Sequence, residues 1–156
     1  MNQKELVNLM ITKGYKIAMA ESCTGGLLAS SIVDVADASK VLDMSFITYS
    51  NDAKINLVNV NKTTIEKYNV VSEEVAIEMA IGCSKRANSQ IGVGISGIAG
   101  PTGDDISHPI GMVCFGFYIA GQIYSATEYF GDIGRNKVRT KAVDFAINFL
   151  IKQLSN

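Results

Sequence analysis

Short apolar segments of strand length alternate along this chain with longer segments of helical period, and that alternation restricts the fold more than any other feature. "KIAMA" at 16–20 reads as a strand between a helix over Gln3 to Lys13, stopped by Gly14, and "TGGLLASSIVDV", whose Leu27, Leu28, Ile32 and Val35 fall at helical spacing. "MSFITYS" at 44–50 is β-branched and aromatic, and Asn51 is placed to cap a short helix carrying Ala53, Lys54 and Leu57. "VSEEVAIEMAIGCSKRA" opens on a Ser72 capping pattern and sets Val75, Ala76, Met79, Ala80 and Cys83 on one helix face. "QIGVGISGIAGP" reads as a buried strand over 90–96 with interleaved glycines, the mark of close backbone approach, running into a glycine-rich loop that ends near Pro109. Two strands with a turn at Ala120 to Gln122 then form an antiparallel hairpin, and a last helix from about Arg135 buries Val138, Ala142, Phe145, Ala146 and Phe149. The expected fold is α/β, a mixed sheet with helices on both faces.

At 156 residues the chain has the length of one domain with its own core, over 1–156. Its 14 basic and 15 acidic residues are scattered, so it carries no electrostatic footprint for nucleic acid or an anionic membrane, and a small-molecule substrate is the better expectation. Cys23, Cys83 and Cys114 are odd in number and widely spaced, which suits a reducing cytoplasm rather than a disulfide framework. The amino-terminal segment is charged throughout, unlike a signal peptide, and no apolar run is long enough to span a membrane. With one histidine, His108, and no paired cysteines, neither a metal nor another cofactor is expected. A homo-oligomer stays open.

In sheets of this kind ligands gather at the loops beyond strand ends, here 20–26, 49–54 and 96–110. "AESCTGG" sets Ser22, Cys23 and Thr24 in a row before Gly25 and Gly26. By pattern alone Ser22 is a helix cap as readily as a nucleophile. Cys23 competes with it, since a thiolate is intrinsically the better nucleophile at a helix start, but no partner histidine accompanies it. Lys54 is by default a solvated lysine, Tyr49 an aromatic anchoring a strand end, and Arg135 and Arg139 exposed charges on one helix face. "GISGIAGP" lacks the ending of a P-loop and the spacing of a dinucleotide fingerprint. Free N–H groups where Thr24, Gly25 and Gly26 open a helix, and along Gly97 to Gly100, suit an anion.

"AESCTGG" at 20–26, "TYSNDAKINLVNV" at 48–60, "VSEEVAIEMAIG" at 71–82 and "GISGIAGPTGDDISHPIG" at 94–111, in this order, resemble the CinA C-terminal domain family, whose characterised members are nicotinamide-nucleotide amidases. The resemblance covers nearly the whole chain and implies a compact three-layer α/β/α domain in a stand-alone form. It also implies hydrolysis of the carboxamide of nicotinamide mononucleotide to nicotinate mononucleotide and ammonia in pyridine nucleotide recycling, without a metal. The chain departs from the family's usual pattern at Met44, Ser45, Asp104 and His108. A nucleotide-binding module of the same fold with reduced catalysis is the alternative.

By this resemblance Ser22 and Lys54 form a nucleophile–base dyad, with Tyr49 and Thr24 beside them as candidate catalytic groups. The implied binding set comprises Gly25, Gly26, Asn51, Ser96, Gly97, Ala99, Gly100, Arg135 and Arg139, the arginines suiting a phosphate through bidentate hydrogen bonds. Carboxamide hydrolysis needs an activated nucleophile, donors for an oxyanion and a proton for departing ammonia. A lysine serving as base near pH 7 must lose about 3 units of pKa, roughly 4 kcal/mol, which burial and nearby cations can supply.

Overall fold

A computed structural model describes residues 1–103 and 105–156. Helix α1 (Gln3–Lys13) leads into β1 (Ile17–Glu21), then α2 (Leu27–Val33), a 3-10 turn at Ala38–Lys40, β2 (Phe46–Ile47), α3 (Asn51–Val58), α4 (Lys62–Tyr68), α5 (Glu73–Ala87), β3 (Ile91–Gly97), β4 (Met112–Ile119), β5 (Gln122–Tyr129) and α6 (Arg135–Leu154). The sheet order is β2-β1-β3-β4-β5. β1 runs parallel to β2 and β3, while β3–β4 and β4–β5 are antiparallel. The mixed α/β sheet expected from the alternation is therefore present, and its hairpin turns at Ala120 and Gly121, both at positive φ, as a two-residue turn requires.

Side-chain alternation along the strands explains the layering. Ile17, Met19, Ile91, Val93, Ile95, Val113, Phe115 and Phe117 project to one face and are covered by α1, α2 and α6, with Phe117 stacked on Phe149 at 4.1 Å. The residues between them are small. Ala18, Ala20, Gly92, Gly94, Cys114 and Gly116 face α5, so this helix lies almost directly on the backbone of the sheet. A Cβ built at Gly94 would sit 2.1 Å from the Ala76 carbonyl oxygen, and one at Gly92 2.0 Å from that of Ala80.

Local expectations needed several corrections. The strand expected over 44–50 pairs only at Phe46–Ile47, because it lies at the sheet edge and turns away at once toward α3. α3 is capped by Ser50, whose hydroxyl accepts from the Ala53 N–H at 3.0 Å, and Asn51 is the first helical residue. α2 begins at Leu27, so Thr24, Gly25 and Gly26 form a turn before the helix and do not open it. The short α4 and the turn at Ala38–Lys40 carry too little apolar periodicity to be read from the chain. β1, β2, β3 and β5 all point the same way, so the segments after each of them emerge at one edge of the sheet.

Candidate active site

At that edge lies a cleft of about 370 Å³, lined by Ser22, Cys23, Tyr49, Asn51, Lys54, Asn69, Val70, Val71, Ser96, Gly97, Ile98, Ala99, Gly100, Thr102, Gly103, Asp105, His108 and Arg135. Ser22 follows β1 directly and adds one rung to its ladder, its N–H donating to the Ile95 carbonyl at 3.0 Å. Thr48 does the same from the β2 side, donating to the Glu21 carbonyl at 2.9 Å. The parallel register of β1 and β2 thus sets Ser22 beside the 48–50 segment, and α3 rises from it with Lys54 turned inward.

Lys54 is 1% exposed and Ser22 8%. The Lys54 Nζ donates to the Thr48 carbonyl at 2.7 Å and the Tyr49 carbonyl at 3.3 Å, and lies 3.0 Å from Ser22 Oγ. As an ammonium the amine donates to both carbonyls and to Ser22 Oγ, whose hydroxyl then faces the Tyr49 carbonyl at 3.5 Å; in the neutral form its two N–H groups serve the carbonyls and the lone pair is left for the Ser22 hydroxyl. Burial pulls the Lys54 pKa down to about 8, and no carboxylate among the described residues opposes that shift. The Cys23 thiol is pushed the other way, to about 12, chiefly by burial, so the competing nucleophile is held as an inert thiol.

The remaining candidates divide between cleft and frame. Asn51, Ser96, Gly97, Ala99, Gly100 and Arg135 line the cleft. The Ser96 hydroxyl is already committed to the Val70 carbonyl at 2.8 Å, which ties the end of β3 to the 69–71 turn. Arg135 reaches over the cleft mouth and donates to the Gly100 carbonyl at 2.8 Å and to the Tyr49 hydroxyl at 3.0 Å. Thr24, Gly25, Gly26 and Arg139 lie outside the cleft lining. Thr24 is buried with its Oγ1 unpartnered among the described residues, and the N–H groups at the start of α2 are taken by the chain's own Glu21, from Leu28 at 2.8 Å and Ala29 at 3.1 Å. The anion site expected at that helix start is therefore occupied by a side chain.

The sequence does not mark Asn69, Val70 and Val71 as cleft residues, and within the 96–110 loop, expected to gather ligand, it does not single out Ile98, Thr102, Gly103, Asp105 or His108. The only local signal was their place just before a capped helix or inside the glycine-rich loop, which does not say what they face. His108 turns back on that loop, its N–H and Nδ1 lying 2.7 and 3.2 Å from Asp105 Oδ1. Asp104 lies outside the described residues. Among the described residues no three His, Cys, Asp or Glu side chains converge, and no helix is long and apolar enough to cross a membrane.

Comparison with known proteins agrees with the architecture. The family described as CinA C-terminal domain matches residues 2–154. A "CinA-like protein" of Kosmotoga olearia is 47% identical over 150 residues, covering 96% of this chain but 36% of that relative, so the chain spans about a third of its length. A crystal structure of a competence-damaged protein (CinA) superfamily protein from Klebsiella pneumoniae superposes with a TM-score of 0.94 at 33% identity, covering 98% of this chain and 95% of the other. The competence/damage inducible protein CihA from Agrobacterium tumefaciens superposes at 0.92 with 35% identity, covering 100% and 97%.

Proposed function

The chain belongs to the CinA C-terminal domain family, and on that premise we propose that it is an amidase that hydrolyses the carboxamide of nicotinamide mononucleotide, giving nicotinate mononucleotide and ammonia. The observation that carries this reading is the buried Lys54 amine 3.0 Å from the Ser22 hydroxyl, with its other contacts confined to backbone carbonyls. A lysine that served only as a structural cation would be expected to meet a carboxylate. Among the described residues this one meets none, and burial favours its neutral, basic form.

The reaction follows from those atoms. Ser22 Oγ attacks the carboxamide carbon while its proton passes to Lys54 Nζ, forming a tetrahedral oxyanion. Collapse breaks the C–N bond as Lys54 returns the proton to nitrogen, so ammonia leaves and an ester to Ser22 remains. Water then attacks the ester, giving its proton to Lys54. The second collapse frees the carboxylic acid as the proton returns to Ser22 Oγ, and the acid ionises to nicotinate mononucleotide by releasing its proton to water. The Cys23 N–H, on the residue after the nucleophile, donates to no other residue among the described ones and is the natural oxyanion donor. Arg135 with the Ala99–Gly100 backbone suits the phosphate, and the cationic pyridinium ring lowers the Lys54 pKa further once bound.

Ammonia release from nicotinamide mononucleotide by purified protein in excess chelator tests the reading. Chelator-independent turnover that Ser22→Ala reduces by on the order of 10³-fold or more, with binding retained, supports it. Tight binding without ammonia would make the chain a nucleotide-binding module instead.

A further inference from the structure

The turn that carries Ser22 holds itself together weakly. Within residues 22–27 it makes only two backbone hydrogen bonds, Gly25 N–H to the Ser22 carbonyl at 3.1 Å and Leu27 N–H to the Thr24 carbonyl at 3.0 Å. Two charged side chains supply the rest. From outside the cleft, Arg139 donates through Nε to the Cys23 carbonyl and through Nη2 to the Thr24 carbonyl, both at 3.0 Å, while Nη1 is held by Asn136 Oδ1 at 3.1 Å. From beneath, the fully buried Glu21 carboxylate accepts the Leu28 and Ala29 N–H groups, and no cation pairs with it among the described residues. Burying a carboxylate with only amide partners is costly, and a neutral cap could satisfy a helix start. The carboxylate adds a rigid two-point attachment between β1 and α2, on either side of the nucleophile.

Arg135 and Arg139 stand one helical turn apart, yet Arg135 lines the cleft and Arg139 does not. A Cβ at Gly25 would lie 3.6 Å from Arg139 Nη2, so the guanidinium packs directly against the turn. In a trans peptide the C=O and N–H point opposite ways. The Cys23 and Thr24 carbonyls share their peptides with the Thr24 and Gly25 N–H groups, so the guanidinium fixes the two peptide planes directly after the one that carries the Cys23 N–H and keeps either carbonyl from rotating toward the oxyanion, where it would oppose the developing charge. A planar fork can hold two carbonyls at once, which an ammonium does poorly.

We infer that Arg139 is a positioning residue that, with Glu21, holds the Ser22 turn in line with Lys54 and takes no part in holding substrate. The inference rests on the reading of Ser22 as nucleophile. Its test compares wild type, Arg139→Ala and Arg139→Lys by ammonia release, by the rate at which a fluorophosphonate labels Ser22, and by Tm. Arg139→Ala should lower kcat and the labelling rate together by about 10- to 100-fold with KM nearly unchanged, since a misplacement of about 1 Å costs on that order. Millimolar guanidinium should restore part of both rates, and Arg139→Lys should lose less, again in kcat. A rise in KM with labelling unchanged would make Arg139 a substrate contact and overturn the inference alone. So would lost rates that guanidinium does not restore, since these mark a merely structural role. Should Arg139→Ala not fold, the kcat-against-KM split in Arg139→Lys decides. Wild type that neither releases ammonia nor labels at Ser22, or Ser22→Ala that keeps turnover, overturns the amidase reading and this inference together.

Discussion

Lys54 joins more of the chemistry than any other single residue. On the proposed mechanism its neutral amine is the active form, so activity should rise with pH, and the acidic limb of kcat/KM should lie near the free-enzyme pKa of about 8. The limb of kcat, which reports the complex, should lie lower because the bound pyridinium adds a cation beside the amine. Lys54→Arg keeps charge but cannot lose its proton, so it should show almost no turnover at any pH while still binding the mononucleotide. An arginine variant with wild-type turnover would reduce Lys54 to a positive contact. Cys23→Ala should be mild, within about twofold, because a thiol with a pKa near 12 supplies no nucleophile. Ser22, Lys54 and Tyr49 were legible as candidates because they sit in motifs, whereas Asn69 and Val70 were not, since nothing in a pre-helix turn announces which cleft it will line.

At the scale of elements, α5 depends on the glycine face of the sheet. Gly94→Ala would push a methyl group against the Ala76 carbonyl and the Met79 side chain, and Gly116→Ala against the Ala76 backbone at 2.2 Å. Backbone cannot move aside as a side-chain tip can, so each substitution should destabilise the fold by about 3 kcal/mol, at the upper end for overpacking. Urea unfolding of the purified variants measures this, and a loss below about 1 kcal/mol would mean that α5 can lift from the sheet at little cost. The interleaved glycines of β3 announced this close approach in the sequence, and the capped start of α5 was equally readable. β2 was over-read, because β-branched composition reports fitness for a sheet and not whether a partner strand lies alongside.

For the whole molecule, the buried amine links folding to pH. Below about pH 8 the amine is protonated in both folded and unfolded chains, and the fold bears the cost of burying the charge. Between about 8 and the ordinary value of 10.5 the unfolded chain holds a proton the folded chain has released, so stability rises with pH across that window. The change amounts to about 3 kcal/mol. The difference in unfolding free energy between wild type and Lys54→Met should shift by this amount over the window, and a flat difference would show that the amine is not depressed. The sequence by itself determined the order of the strands and of the helices other than α4, the close backbone approach at the glycines of β3 and the family motifs, because periods of 2 and 3.6 residues and cap or turn chemistry act between near neighbours. Tertiary structure alone decided that Ser22 meets Lys54 across 32 residues, that Arg135 enters the cleft while Arg139 grips the turn, and that Glu21 fills the helix start. The direction of a long side chain and the dielectric around it are set by segments remote in the chain, and no local pattern encodes them.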